Sequence, residues 1–143
     1  MPIFGGISED SLHFLTDRTS VVTREAGEYF FREGDDATCM YVLEQGQADV
    51  SKAWNDEAHL LKHLAQGDCF GEMALIDLHP RSASVMAIEP CSAIELGYAA
   101  MPDLHMHSPE QFTLIQMNMA RELSRRLRDA DERLFHAQLH KQI

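Results

Sequence analysis

Glu72 and Arg81 are the residues of this chain best placed to do chemistry together. Gly71 precedes the acid, and the short run Met73-Ala74-Leu75-Ile76 follows it. Arg81 stands nine positions after Glu72 and opens the small-residue stretch Ser82-Ala83-Ser84. Glycine has no Cβ and lets a backbone come close to a ligand. N–H groups at the start of a helical turn point at an anion and stabilise it. Arginine adds a fixed fork of donors that matches phosphate oxygens. A carboxylate repels phosphate but accepts well from a sugar hydroxyl. The grouping suits a ligand that carries a phosphate and a sugar hydroxyl close together. An acid and an arginine across a turn are more often a surface ion pair of little worth, but such a pair needs no Gly, Ala and Ser around it.

These residues must be held by the elements on either side. From Ser20 to about Leu96 the chain reads as short strands separated by turn residues. Val21-Val22-Thr23, Tyr29-Phe30-Phe31, Met40 to Leu43 and Ala48 to Val50 run apolar or alternate, and His59 to Leu64 follows an acidic hairpin at Asn55-Asp56-Glu57. Ser82 to Ile88 and Ser92 to Leu96 close the series, which predicts a sandwich or barrel. Ser8 to Ser11 opens a short helix, with Leu12, Phe14 and Leu15 facing inward. Ala99 to about Met106 predicts another helix, and Ser108-Pro109-Glu110 starts a long one that no glycine or proline interrupts. On it Ala120, Leu123, Leu127, Ala130, Leu134 and Ala137 recur at alternating spacings of three and four, an a/d seam. Leu123, Leu127 and Leu134 predict a homodimer through that seam. The chain divides into a body, 1–107, and a helical segment, 108–143.

The run Phe70-Gly71-Glu72-Met73-Ala74 with Arg81-Ser82-Ala83 resembles the phosphate-binding cassette of the cyclic nucleotide-binding domain family. Gly27, Gly34, Gly46 and Gly67 fall where that family places its barrel-turn glycines. The resemblance implies a mainly β fold with flanking helices, a double-stranded β-helix (jelly roll) with a short N-terminal and a long C-terminal helix. It implies a ligand, cyclic AMP or cyclic GMP. The phosphate would lie on Gly71 to Ala74 and Arg81, with Gly71 and Ala74 as backbone donors and Ser82 and Ala83 as the small residues beside it. Glu72 would accept from the ribose 2′-hydroxyl. Val50, Leu61 and Leu64 would line the ribose and base side. Arg126 and the Ala130-Asp131 turn would lie near the base, as part of a lid, although the family's polar lid residues have no match at 130–131. Serine after the arginine inclines the reading to cyclic AMP. In the bacterial regulators of this family a helix-turn-helix follows; here the chain stops at Ile143, so it reads as a free-standing module, or else as the sensor fragment of a longer regulator. A ligand-free scaffold of the same fold is the rival reading. Output would pass through the C-terminal helix or an effector protein.

Bulk properties narrow the classes. The net charge is −11, and it is uneven: residues 1–107 carry 6 basic and 18 acidic residues, residues 108–143 carry 6 and 5. An acidic body disfavours direct nucleic-acid binding. There is no apolar run long enough for a membrane span and no signal-peptide pattern at the start. Cys39, Cys69 and Cys91 are widely spaced, which argues for a reducing, cytoplasmic setting and against a disulfide framework. Cys69 reads as a small buried hydrophobe, Trp54 as a partly exposed packing residue. His105-Met106-His107 and the pair His136, His140 read as packing or solvated histidines, with no third ligand for a metal. No nucleophile elbow, Walker motif or paired catalytic carboxylates are present, so no enzymatic turnover is expected.

Overall fold

The structure, a computed structural model, describes residues 2–141. A single 3-10 turn at Pro2–Phe4 leads into α1 (Glu9–Thr16). Eight strands follow: β1 (Thr19–Arg24), β2 (Tyr29–Phe31), β3 (Cys39–Gln45), β4 (Ala48–Trp54), β5 (Glu57–Leu64), β6 (Cys69–Phe70), β7 (Ser84–Ala87) and β8 (Cys91–Gly97). A second 3-10 turn, Glu72–Leu75, sits between β6 and β7, and α2 (Ala100–His107) and α3 (Pro109–Lys141) end the chain. The strands form two antiparallel four-stranded sheets, ordered β1-β8-β3-β6 and β2-β7-β4-β5. This is the mainly β roll with flanking helices that the sequence predicts.

Side-chain alternation on β3 builds two cores at once. Tyr41 and Leu43 face the space between the sheets, with Phe30, Leu64, Phe70 and Val85. Met40 faces the other way, into a layer of Leu15, Leu96, Leu104, Ile115 and Met119. A strand covered on both faces reads as a continuous apolar run, which is why Met40 to Leu43 shows no polar break. The start of α3 is part of this second core, since Ile115 and Met119 are buried there. Asn118, also buried, donates to the carbonyls of Ile3 (3.0 Å) and Gly5 (2.9 Å), and so ties the N-terminal turn to α3.

Turn chemistry sets the register. Asn55 and Asp56 both have positive φ, 53° and 64°, and join β4 to β5 as a two-residue hairpin. Gly46 (φ 92°) turns β3 into β4, and a Cβ there would meet the Pro90 carbonyl oxygen at 2.5 Å. α1 departs from expectation in one respect. Ser8 caps it by accepting the Ser11 N–H, and its inward stripe is Ser11 and Leu15 with Phe14 partly covered. Leu12 lies on the flank of that stripe and is exposed.

Candidate functional site

A cavity of about 380 Å³ opens between the second 3-10 turn, the segment before β7, the β4–β5 wall and α3. Phe70, Gly71, Glu72, Met73, Ala74, Arg81, Ser82 and Ala83 all line it, as do Val50, Leu64 and Arg126. One fold feature thus collects residues from positions 50 to 126.

Gly71 caps the 3-10 turn in the left-handed region (φ 73°). A Cβ on it would stand 2.6 Å from Arg81 Nη1 and 3.2 Å from Phe31 Cε2, so glycine is required both for the turn and for the approach of the arginine. Within the turn the Ala74 N–H already donates to the Gly71 carbonyl, at 3.2 Å. The N–H groups of Glu72 and Met73, the first in the turn, have no partner inside it.

Arg81 is fixed at both ends. Its N–H donates to the Asp35 carbonyl (2.9 Å) and its carbonyl accepts from the Gly34 N–H (2.8 Å). Its side chain is buried and folds over the Phe31 ring, with the guanidinium carbon 4.0 Å from the ring centre. Nη1 donates to the Gly71 carbonyl (3.0 Å) and Nη2 to the Cys39 carbonyl (2.6 Å). Nε is buried and has no hydrogen-bond partner among the described residues. An unsatisfied buried donor is costly, and this one belongs to a side chain that lines the cavity.

Glu72 is 4% exposed, the most deeply buried acid in the chain. Its Oε1 pairs with Arg126 Nη2 from α3. Arg126 also reaches Glu122 through Nε, at 3.3 Å. The carboxylate of the cavity is therefore joined directly to the C-terminal helix. Beside it, burial first and then the Glu72 charge push the Cys69 thiol up to about 11, which keeps it protonated and unreactive.

Two of the expected lining residues lie elsewhere. The β4–β5 register slips between Val50↔Lys62 and Ser51↔Leu60, so Leu61 is the extra residue of a bulge. It is exposed, and Lys62, with Leu64 two positions on, takes the inner face instead. Asp131 is exposed on α3, more than a turn beyond Arg126, where the helix has already left the cavity. Lys62 and Phe31 are lining residues that the sequence pattern does not single out. The Lys62 ammonium has no hydrogen bond or ion pair among the described residues, and the residue is exposed where it lines the cavity. His107 stacks on Phe14 and pairs with Asp10, His105 meets the edge of Phe112, and His136 and His140 are exposed on α3. Among the described residues no cluster of three or more His, Cys, Asp or Glu could hold a metal ion.

Comparison with known proteins decides the family. A family model described as the cyclic nucleotide-binding domain matches residues 21–108, more than half of the chain. The chain belongs to the cyclic nucleotide-binding domain family. A cAMP-dependent protein kinase regulatory subunit of Emericella nidulans is 33% identical over 97 residues, which are 68% of this chain and 23% of that protein. The chain thus spans about a quarter of the length of such curated relatives. Among solved structures, the N-terminal domain of a transcriptional regulator from Streptomyces coelicolor superposes with a TM-score of 0.82 at 27% identity, covering 91% of each chain. The regulatory domain of Toxoplasma gondii PKA, crystallised with cAMP, gives a TM-score of 0.68 at 31% identity and covers 71% of this chain and 39% of that one. The cyclic nucleotide-binding domain described here therefore has the fold of bacterial regulators and kinase regulatory subunits alike.

Proposed function

We propose that this cyclic nucleotide-binding domain binds cyclic AMP in the Gly71–Arg81 cavity and signals by binding alone, without turnover. The observation that carries this is Arg81: a buried guanidinium whose Nε donor has no partner among the described residues, beside a glycine-capped turn whose leading N–H groups have no partner inside the turn. That is a site for a compact anion, and Glu72 supplies the acceptor that a neighbouring ribose hydroxyl needs. The phosphate would lie against Arg81, Ser82 and the Glu72–Met73 N–H groups. The base would extend toward Val50, Leu64 and Arg126. Calorimetry against cyclic AMP, cyclic GMP and cyclic dinucleotides tests the reading. Saturable binding of a mononucleotide is expected, and no binding of any of them would make the chain a ligand-free scaffold of the same fold.

A second reading, preference for cyclic GMP, is favoured by Lys62. Lys62 lines the cavity, and its ammonium, unpaired among the described residues, suits guanine, which presents O6 and N7 acceptors side by side. Ser82 weighs toward cyclic AMP. In competition against a labelled cyclic AMP, wild type should need more cyclic GMP than cyclic AMP for half displacement. Displacement by cyclic GMP at an equal or lower concentration, lost in Lys62→Met, would reverse the preference.

The helix α3 gives the route for output. Beyond Arg126, the last of its residues to line the cavity, it projects from the body, and Leu127 and Leu134 stand 64% and 59% exposed, on the seam of Leu123. We place a two-fold partner helix on that seam, with Ala120, Ala130 and Ala137 allowing close approach. Sedimentation should show a concentration-dependent dimer that Leu127→Glu dissociates; a monomer at all concentrations in both would reject the seam. An effector protein and a cytoplasmic location complete the proposal. The acidic body and the absence of a helix long and apolar enough to cross a membrane among the described residues agree with a partner that is neither nucleic acid nor bilayer.

A further inference from the structure

Outside the cavity, one charged network touches the cassette from behind. Lys52 Nζ donates to the Ser82 carbonyl at 2.6 Å and to Glu33 Oε2 at 3.2 Å. The other oxygen of Glu33 accepts the Ala53 N–H at 3.1 Å, and the Glu33 N–H donates to Ser84 Oγ at 2.8 Å. The network therefore ties together the turn after β2, the end of β4 and the segment between Arg81 and β7.

Its position answers a structural need. The β4–β7 ladder runs from Ala48↔Ala87 to Ser51↔Ser84 and stops there. Ser82 and Ala83, which line the cavity, lie beyond its end. The Arg81 carbonyl is held by the Gly34 N–H. The next carbonyl, that of Ser82, is held by Lys52, the residue that follows the last ladder pair on β4. A peptide group is planar and trans. Fixing the Ser82 carbonyl fixes the plane of the Ser82–Ala83 peptide and turns the Ala83 N–H to the opposite side.

We propose that Lys52 is a positioning residue for the phosphate of the ligand: it orients the Ser82–Ala83 peptide from outside the cavity, and Glu33 orients Lys52. The inference rests on the reading that the cavity takes a cyclic nucleotide. The Ala53 N–H first, and Lys52 second, hold the Glu33 carboxyl below its usual range, which keeps the carboxylate ionised. Both side chains are substantially exposed, at 50% and 34%. Exposed ion pairs contribute little to folding, so loss of Lys52 acts on the cassette and not on the core.

The test compares ligands with and without the phosphate. Affinities for cyclic AMP and for adenosine, which keeps the base and ribose, are measured by displacement of a fluorescent cyclic AMP from wild type, Lys52→Met, Lys52→Arg and Glu33→Gln. Lys52→Met should bind cyclic AMP about tenfold more weakly, the scale of one charge-assisted hydrogen bond. Its affinity for adenosine and its melting temperature should stay at the wild-type values. Lys52→Arg should restore most of the loss, and Glu33→Gln should show a smaller loss of the same kind. Wild-type affinity for cyclic AMP in Lys52→Met, or an equal loss for both ligands, would overturn the positioning role while leaving the binding reading intact. Failure of wild type itself to bind cyclic AMP would overturn the binding reading, and this inference with it.

Discussion

Arg81→Ala is expected to remove most of the affinity for cyclic AMP. Truncating one partner of a buried charge pair leaves the other poorly compensated, at roughly 2–5 kcal/mol. In affinity that is at least about thirtyfold. The effect should be specific to the site, but the fold will also register it. The guanidinium donates to the part-buried carbonyls of Gly71 and Cys39 and covers the Phe31 ring; its loss takes the side-chain donor from Cys39, while the Gly71 carbonyl keeps the Ala74 N–H. An acceptor left unpaired costs about 1–3 kcal/mol where water cannot reach it. A lower melting temperature with the transition still cooperative is therefore part of the expected result. Arg81→Lys separates the contributions: it keeps the charge but not the planar fork, and should fall between wild type and Arg81→Ala in affinity. Calorimetry below the melting transition makes the comparison. Unchanged affinity in Arg81→Ala would place the ligand elsewhere on the molecule.

The cassette was readable because its residues are unusual company for one another. Glu72 and Arg81, with Gly71, Ala74, Ser82 and Ala83, are spaced along one short stretch, and the structure brings them to one cavity. The β-rich body was readable from strand-length apolar runs and from glycines at turns, all of which have positive φ at positions 27, 34, 46 and 67. What was lost is what depends on register. In His59-Leu60-Leu61-Lys62-His63-Leu64, the family resemblance implies Leu61 as a lining residue. The bulge reverses that choice, and only the two-residue step from Leu64 back to Lys62 hints at it. The resemblance puts Asp131 near the base, but the point at which α3 leaves the body depends on packing at Ile115 and Met119. The pairing of Glu72 with Arg126 joins residues far apart in sequence, and no local spacing reveals it.

That pairing shapes the second large effect, Glu72→Ala. The carboxylate has two oxygens and about four acceptor sites. Arg126 takes Oε1, which leaves Oε2 for a ribose hydroxyl without breaking the ion pair. A hydrogen bond to a charged acceptor is worth about 1.5–3 kcal/mol, so Glu72→Ala should weaken cyclic AMP binding roughly tenfold to a hundredfold. The 2′-deoxy analogue has no hydroxyl to offer. Wild type should bind it more weakly than cyclic AMP, and Glu72→Ala should bind the two alike. Equal losses for both ligands on substitution would refute the ribose role. The same variant releases Arg126 from the cavity but leaves it Glu122 on its own helix. If occupancy biases the position of α3 through this pair, ligand and helix share one equilibrium, with a coupling typically of 1–3 kcal/mol. Saturating cyclic AMP should then shift the sedimentation-derived dimerisation constant in wild type by about five- to 150-fold. In Glu72→Ala, at ligand concentrations raised to restore saturation, that shift should disappear. A shift that persists unchanged would mean that the helix senses the ligand through other contacts, with Glu72 serving the ribose alone.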